Sequence, residues 1–155
     1  MGAVGRITSL NRSNGGVPKL PVAVAEVTTT GLVGDRQANL KYHGGPDRAV
    51  CLLAQEVIDA LVAEGHPIHP GSTGENITIA GMDWKLITSG SHLRLGSHVV
   101  LEITSYTAPC RKIAASFGDG DHTRLDQGRH PGRSRLYARV CVPGAIAIGD
   151  AVVVL

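Results

Sequence analysis

Aromatic residues are scarce in this chain: among 155 residues there are one Trp, one Phe and three Tyr. Five rings (Tyr42, Trp84, Tyr106, Phe117 and Tyr137) are too few for the stacking platforms on which single-stranded nucleic acid lies. Neither sign of charge dominates, with 15 Lys and Arg against 13 Asp and Glu, a net charge of +2. A protein that neutralises many duplex phosphates carries a larger basic excess, so no nucleic-acid partner is expected. No apolar run approaches the roughly 18–20 residues that span a bilayer. The opening MGAVGRITSLNRSNGG has no continuous apolar stretch of the signal-peptide kind. No membrane partner is expected either. Three cysteines, an odd number, make a poor disulfide framework and fit a reducing cytoplasm. The chain also lacks G-x-x-x-x-G-K, G-x-G-x-x-G and G-x-S-x-G, which removes those nucleotide and serine-hydrolase signals, and pyridoxal phosphate is not expected.

What is present reads as one domain over 1–155, built mainly of short strands between turns. Hydrophobic residues make up 43% of the chain, enough for a core. Strand-like stretches lie at 4–10, 22–27, 49–53, 136–142 and 151–155. Residues 92–104 form the strongest pattern: Leu93 and Leu95 alternate with polar residues, Gly96-Ser97 makes a turn, and a second strand follows, as in a hairpin. Helical spacing occurs at 55–64, where Val57, Ile58, Leu61 and Val62 share a face and Gly65 suits the cap. A shorter helix is predicted from Pro109, with Ile113 and Phe117 four apart and Gly118 as its cap. Residues 118–134 are rich in Gly, Asp, His and Arg and read as a mobile loop of functional length. Many strands with one or two short helices favour a closed or half-closed β-barrel.

Three groups of residues carry the chemistry. Cys110 follows Pro109 at the predicted start of a helix and precedes Arg111 and Lys112. Such a setting favours the thiolate, the nucleophilic and metal-binding form. The competing reading for Cys110 is a buried structural cysteine. Cys51 and Cys141, each between aliphatic neighbours, take that reading as core residues. The second group is basic and glycine-rich: Lys19 after Asn14-Gly15-Gly16, Arg36 after Gly34-Asp35, Arg48 after His43-Gly44-Gly45-Pro46-Asp47, and the late Arg129, Arg133, Arg135 and Arg139. Backbone amides at glycines and forked guanidinium groups suit a phosphate; turn glycines with solvated charge are the alternative. Arg135 and Arg139, four apart, share a face on a strand. Third, Gly71-Ser72-Thr73-Gly74-Glu75-Asn76 makes a tight turn in which Glu75 and Asn76 either hydrogen-bond a heterocycle or support the turn itself. His66 and His69 alone are too few ligands for zinc.

Taken in order, Gly34-Asp35-Arg36, His43-Gly44-Gly45-Pro46-Asp47-Arg48-Ala49-Val50, Gly74-Glu75-Asn76, Pro109-Cys110, Ser134-Arg135-Leu136-Tyr137-Ala138-Arg139-Val140 and Gly149-Asp150 resemble the MOSC domain, in its small stand-alone bacterial form. The resemblance covers essentially the whole chain. It implies a MOSC-type β-barrel that binds the pyranopterin molybdenum cofactor. In related reductases of N-hydroxylated compounds the residue matching Cys110 gives its thiolate to molybdenum, so Cys110 is the expected catalytic residue and metal ligand. The phosphate or dinucleotide tail would engage Lys19, Arg36, Gly44, Gly45, Arg48, Arg135 and Arg139. His43, Glu75 and Asn76 would orient the pterin or line the substrate mouth. A small-molecule substrate and an electron-donor protein are then the expected partners. The alternative is a persulfide carrier or cofactor-delivery module served by a sulfur-donor protein.

Overall fold

The computed structural model of the chain describes residues 4–35 and 45–155. The expectations placed on Arg36, His43 and Gly44 lie outside the described residues. Eleven strands are described: β1 (Val4–Arg12), β2 (Leu20–Val22), β3 (Val24–Thr28), β4 (Gly31–Leu32), β5 (Val50–Ala54), β6 (Ile77–Ala80), β7 (His92–Leu95), β8 (Val99–Tyr106), β9 (Leu136–Val142), β10 (Gly144–Ala147) and β11 (Ala151–Val154). Seven of them close on themselves: β1, β11, β7, β8, β9, β5 and β6 are hydrogen-bonded in that order, and β6 returns to β1. The result is the β-barrel expected from the sequence. Closure removes the unpaired edges that an open sheet must protect. β2 extends from β1, and β10, β3 and β4 form a separate three-stranded sheet.

Every contact in the ring is antiparallel except that of β5 with β6. Parallel neighbours need a crossover rather than a hairpin, and α1 (Gln55–Ala63) supplies it. Its Val57, Ile58 and Leu61 are buried as the spacing predicts, whereas Val62 is exposed. The helix stops at Gly65, whose φ of 97° is left-handed. There the Gly65 amide donates to the Val62 carbonyl and the His66 amide to the Leu61 carbonyl, which satisfies two orphan carbonyls of the last turn. The core is aliphatic: Ile7, Leu10, Leu52, Ile77, Leu93, Leu95 and Leu101 are fully buried. Each such side chain contributes roughly 1.5–3 kcal/mol of transfer free energy.

Several sequence expectations change in detail. The predicted hairpin at 92–104 is β7 and β8, paired Leu93 to Leu101 and Leu95 to Val99. The helix predicted from Pro109 is instead a six-residue 3-10 turn, Arg111–Ser116, with Cys110 at its N-cap. Residues 118–134 are not a structureless loop. They contain a 3-10 turn, His122–Leu125, whose Asp121 side chain accepts from the Thr123 amide. Leu125 is fully buried, and the segment is fastened to the end of α1 by Arg133 to Glu64 (3.2 Å) and by the Gly118 amide to His66 Nδ1 (3.1 Å). Cys141 was expected in the core and is exposed. Neighbouring Val140 points inward, and the register of β9 against β8 slips beside it, between Val100 and Leu101. Among the described residues no helix is long and apolar enough to cross a membrane.

Candidate functional site

A cavity open to solvent lies against β5 and the start of β9. Cys51 and Tyr137 are cross-strand partners in these two strands and both line it. The opposite walls come from the segment after β1 (Val17, Lys19), the turn before β6 (Thr73, Asn76) and the 3-10 turn that begins at Cys110. Local bonds hold these pieces together. Ser116 Oγ meets Ser72 Oγ at 2.8 Å, the Thr107 amide donates to the Arg135 carbonyl at 2.9 Å, and the Lys19 amide donates to the Gly71 carbonyl at 2.9 Å. Gly71 has φ of 85°, and a Cβ there would sit 2.5 Å from the Lys19 carbonyl oxygen, so the turn passes this strand only without a side chain.

Cys110 is half-buried, and its sulfur makes no capping bond to the turn that follows it. Lys112, one of the two cations that follow it in sequence, is exposed at the cavity rim. Facing them is Arg135, which is 5% exposed. One of its Nη atoms donates to the Thr73 carbonyl, and its buried Nε has no partner. Among the described residues no carboxylate lies within ion-pair distance of this guanidinium. Glu75 is fully buried nearby. Its Oε2 accepts from Thr73 Oγ1 at 3.1 Å and its Oε1 has no partner. Burial pushes the Glu75 carboxyl up, against the pull of its hydrogen bonds and of Arg135. Burial likewise raises the Cys51 thiol, although Arg135 pulls it down. Arg135 therefore lines the cavity beside the raised thiol of Cys51, with the buried Glu75 carboxyl behind the wall.

Lys19 and Asn76 line the same cavity but are engaged in holding it together. Lys19 Nζ pairs with both Asp35 oxygens at 2.7 and 2.8 Å, and both side chains are nearly inaccessible. Asp35 also accepts from the Ser13 amide and from Asn76 Nδ2. Asn76 Oδ1 accepts from the Cys51 amide at 3.0 Å, and Nδ2 also donates to the Asn11 carbonyl at 3.2 Å. Both amide protons of Asn76 are thus used within the protein. Asn76 thus ties β1 and β5 to Asp35.

The structure brings Lys19, Asn76, Cys110 and Arg135 together, with Glu75 just behind. It does not bring Gly45, Arg48 or Arg139 to that cavity. Gly45 precedes an exposed 3-10 turn, Pro46–Arg48. Arg48 lies over the Tyr137 ring, 5.6 Å from its centroid, and borders a separate depression with Arg139 and Glu102. Arg139 is bonded to Glu102 on the outside of the barrel. Four residues along a strand correspond to about 13 Å, so Arg135 and Arg139 do not converge on one ligand. Residues 118–134 contribute nothing to the cavity lining. Cys51, Thr73 and Tyr137 line the cavity and Asp35 braces it, although none of them is among the site residues expected from the sequence. Cys51 sits in a strand buried on both faces, so no alternation marks the side on which it lies.

Comparison with known proteins follows from this geometry. The sequence profile of the MOSC domain matches residues 39–153. YflK, an uncharacterized protein of Bacillus subtilis, is 33% identical over 117 residues, which cover 75% of this chain and 52% of YflK. A protein of Gibberella moniliformis named Reductase is 30% identical over 132 residues, covering 83% of this chain and 23% of that protein. The chain thus spans about half, or less, of the length of these curated relatives. In fold it is similar to the crystal structure of YiiM from Geobacillus stearothermophilus, with a TM-score of 0.74 and 24% identity, over 97% of this chain and 75% of that one.

Proposed function

The chain belongs to the MOSC domain family, and from that premise we propose that it binds the pyranopterin molybdenum cofactor and reduces N-hydroxylated or N-oxide compounds, with Cys110 as a ligand of molybdenum. One observation carries this reading: Arg135, a buried guanidinium, lines the same cavity as the half-buried Cys110. The residues fit the group. A thiolate is a soft ligand appropriate to a metal already held by sulfur, and a guanidinium on the cavity wall suits an anionic oxygen. When bound, the cofactor supplies the two-electron redox chemistry.

The chain's own residues bind and orient. Arg135, with Lys112 at the rim, attracts and grips the negatively charged tail. The Lys19–Asp35–Asn76 network keeps the wall rigid and, being internally neutral, adds no second anion site. Cys51 and Tyr137, both shifted toward their protonated forms by burial, keep negative charge away from the floor. The Reductase name of one relative supports a redox role. Electrons would come from a donor protein, and the chain would act as a single MOSC domain in the cytoplasm.

The test is to isolate the full chain from cofactor-sufficient cells and measure molybdenum and pterin per chain. We expect near-stoichiometric metal in the wild type, loss of molybdenum in Cys110→Ala, and loss of pterin as well in Arg135→Met. Wild-type protein free of molybdenum after reconstitution would remove the proposal. A sulfane-sulfur mass increment on Cys110 without molybdenum would replace it by sulfur carriage.

A further inference from the structure

Away from the cavity, three adjacent barrel strands place a nitrogen, an oxygen and a sulfur donor side by side. His92 in β7 is the direct cross-strand partner of Glu102 in β8, and Glu102 is in turn opposite Arg139 in β9. Between Leu101–Val140 and Val100–Val142 the register slips by one residue, so Cys141 is the extra residue of a bulge. A bulged residue has no cross-strand partner, and bulges commonly re-aim a side chain. Here the result is that the ligand atoms of His92, Glu102 and Cys141 all lie within 4.8 Å of one another on the outer face. We infer that these three residues form a binding site for a zinc-class divalent cation, separate from the Cys110 cavity.

The spacing is close to what such an ion needs. Bonds of about 2.0–2.3 Å arranged tetrahedrally put ligand atoms roughly 3.3–3.8 Å apart. His92 Nε2 and Glu102 Oε1 already stand at 3.7 Å. The remaining contraction is of the order of 1 Å, within reach of half-exposed side chains. A second feature fixes the imidazole. His92 Nδ1 lies 3.0 Å from the Gly90 carbonyl. A carbonyl only accepts, so Nδ1 carries the proton and, in the neutral ring, Nε2 presents its lone pair toward Glu102 and Cys141. A ligating histidine is commonly oriented by this second bond. The donor set of imidazole, carboxylate and thiolate selects a borderline ion such as zinc over calcium or magnesium. Three protein ligands leave the fourth position to water.

Arg139 is the competing element. It is bonded to Glu102 Oε1, and its cation repels an incoming metal. The guanidinium is about half exposed, so it has room to swing to the other carboxylate oxygen or away. The predicted signature is that Arg139→Gln tightens metal binding, by roughly thirtyfold for one unit charge removed from about 4 Å of a divalent ion in a watery setting, whereas loss of a ligand weakens it.

Cobalt(II) reports both geometry and sulfur ligation, and the chain can be titrated in its cofactor-free form. We expect one equivalent to bind with visible bands of tetrahedral intensity and a thiolate-to-cobalt charge-transfer band, and zinc to displace it. Cys141→Ser should abolish the charge-transfer band. His92→Gln should weaken zinc at least tenfold in a chelator competition, since even an outer-shell substitution costs about 10–100-fold. Cys110→Ser and Cys51→Ser should leave the spectrum intact. Circular dichroism and thermal melts confirm that each variant folds. No band in the wild type, a band that survives Cys141→Ser, or a band lost in Cys110→Ser would each overturn the proposal. Molybdenum content is independent of the result, so the two readings stand or fall separately.

Discussion

Burial with one polar atom left unpaired is the unusual condition at Arg135 and Glu75. A charged group taken out of water costs several kcal/mol unless something compensates it, and here a guanidinium has one carbonyl and an open Nε. The neighbouring carboxyl cannot fully serve as its counterion because burial raises its pKa. That shift has a consequence for stability. As pH rises above about 4.5, the ordinary value, the unfolded chain releases the Glu75 proton while the folded chain retains it. The unfolded state then binds fewer protons, so this residue makes the fold progressively less stable until the folded carboxyl itself ionises. Glu75→Gln has no such loss. Its urea midpoint should gain on wild type between pH 4.5 and pH 7, and a difference that shrinks with rising pH would contradict the burial argument.

At the scale of elements, the turns decide more than the strands. α1 ends where it does because Gly65 adopts φ of 97°, which lets the Gly65 and His66 amides donate back to the last turn. A Cβ at this position meets nothing within 4 Å, so the cost of Gly65→Ala is backbone strain alone. It should lower the unfolding free energy by about 1–2 kcal/mol, read by denaturant titration, with the slope unchanged. Helical spacing in 55–64 and the hairpin at 92–104 were legible because their periodicities survive folding. The 3-10 turn after Cys110 was misjudged as a longer helix, since Ile113 and Phe117 at a spacing of four are buried in either geometry. Residues 118–134 were misjudged in the other direction. Their polar composition hides Leu125, the one apolar anchor that packs them down, and the Asp119–Arg124 pair (Nη2 to Oδ2, 2.8 Å) that clips them.

For the whole molecule, closure of the seven strands makes stability a shared property. Each strand of a ring is hydrogen-bonded on both sides, so none frays alone as an edge strand does. Leu101 in β8 is fully buried, and Leu101→Ala should cost about 2–5 kcal/mol. The loss should appear as faster amide exchange in all seven barrel strands together, including β1 on the far side of the ring. Acceleration confined to β8 and its two neighbours would show that the ring does not open as one unit. The three-stranded sheet of β10, β3 and β4 lies outside this ring, although its Ala25, Val27, Leu32 and Ile146 share the barrel's hydrophobic core.

The amino-acid sequence by itself determined the β-rich class, the position of α1, the β7–β8 hairpin and the motif order that relates this chain to MOSC domains, because each is carried by local periodicity or by residues fixed in order along the chain. Only the tertiary structure decided which of the named side chains meet. Arg135 and Arg139 are four residues apart, yet strand rise carries them to different places, one against Cys110 and the other against Glu102. Cys51 and Cys110 are 59 positions apart and border one cavity. A strand-register slip of a single residue turned Cys141 from an expected core thiol into a surface donor beside His92. Such convergence depends on strand register and ring closure, which are set by long-range pairing and packing and leave no local mark on the chain.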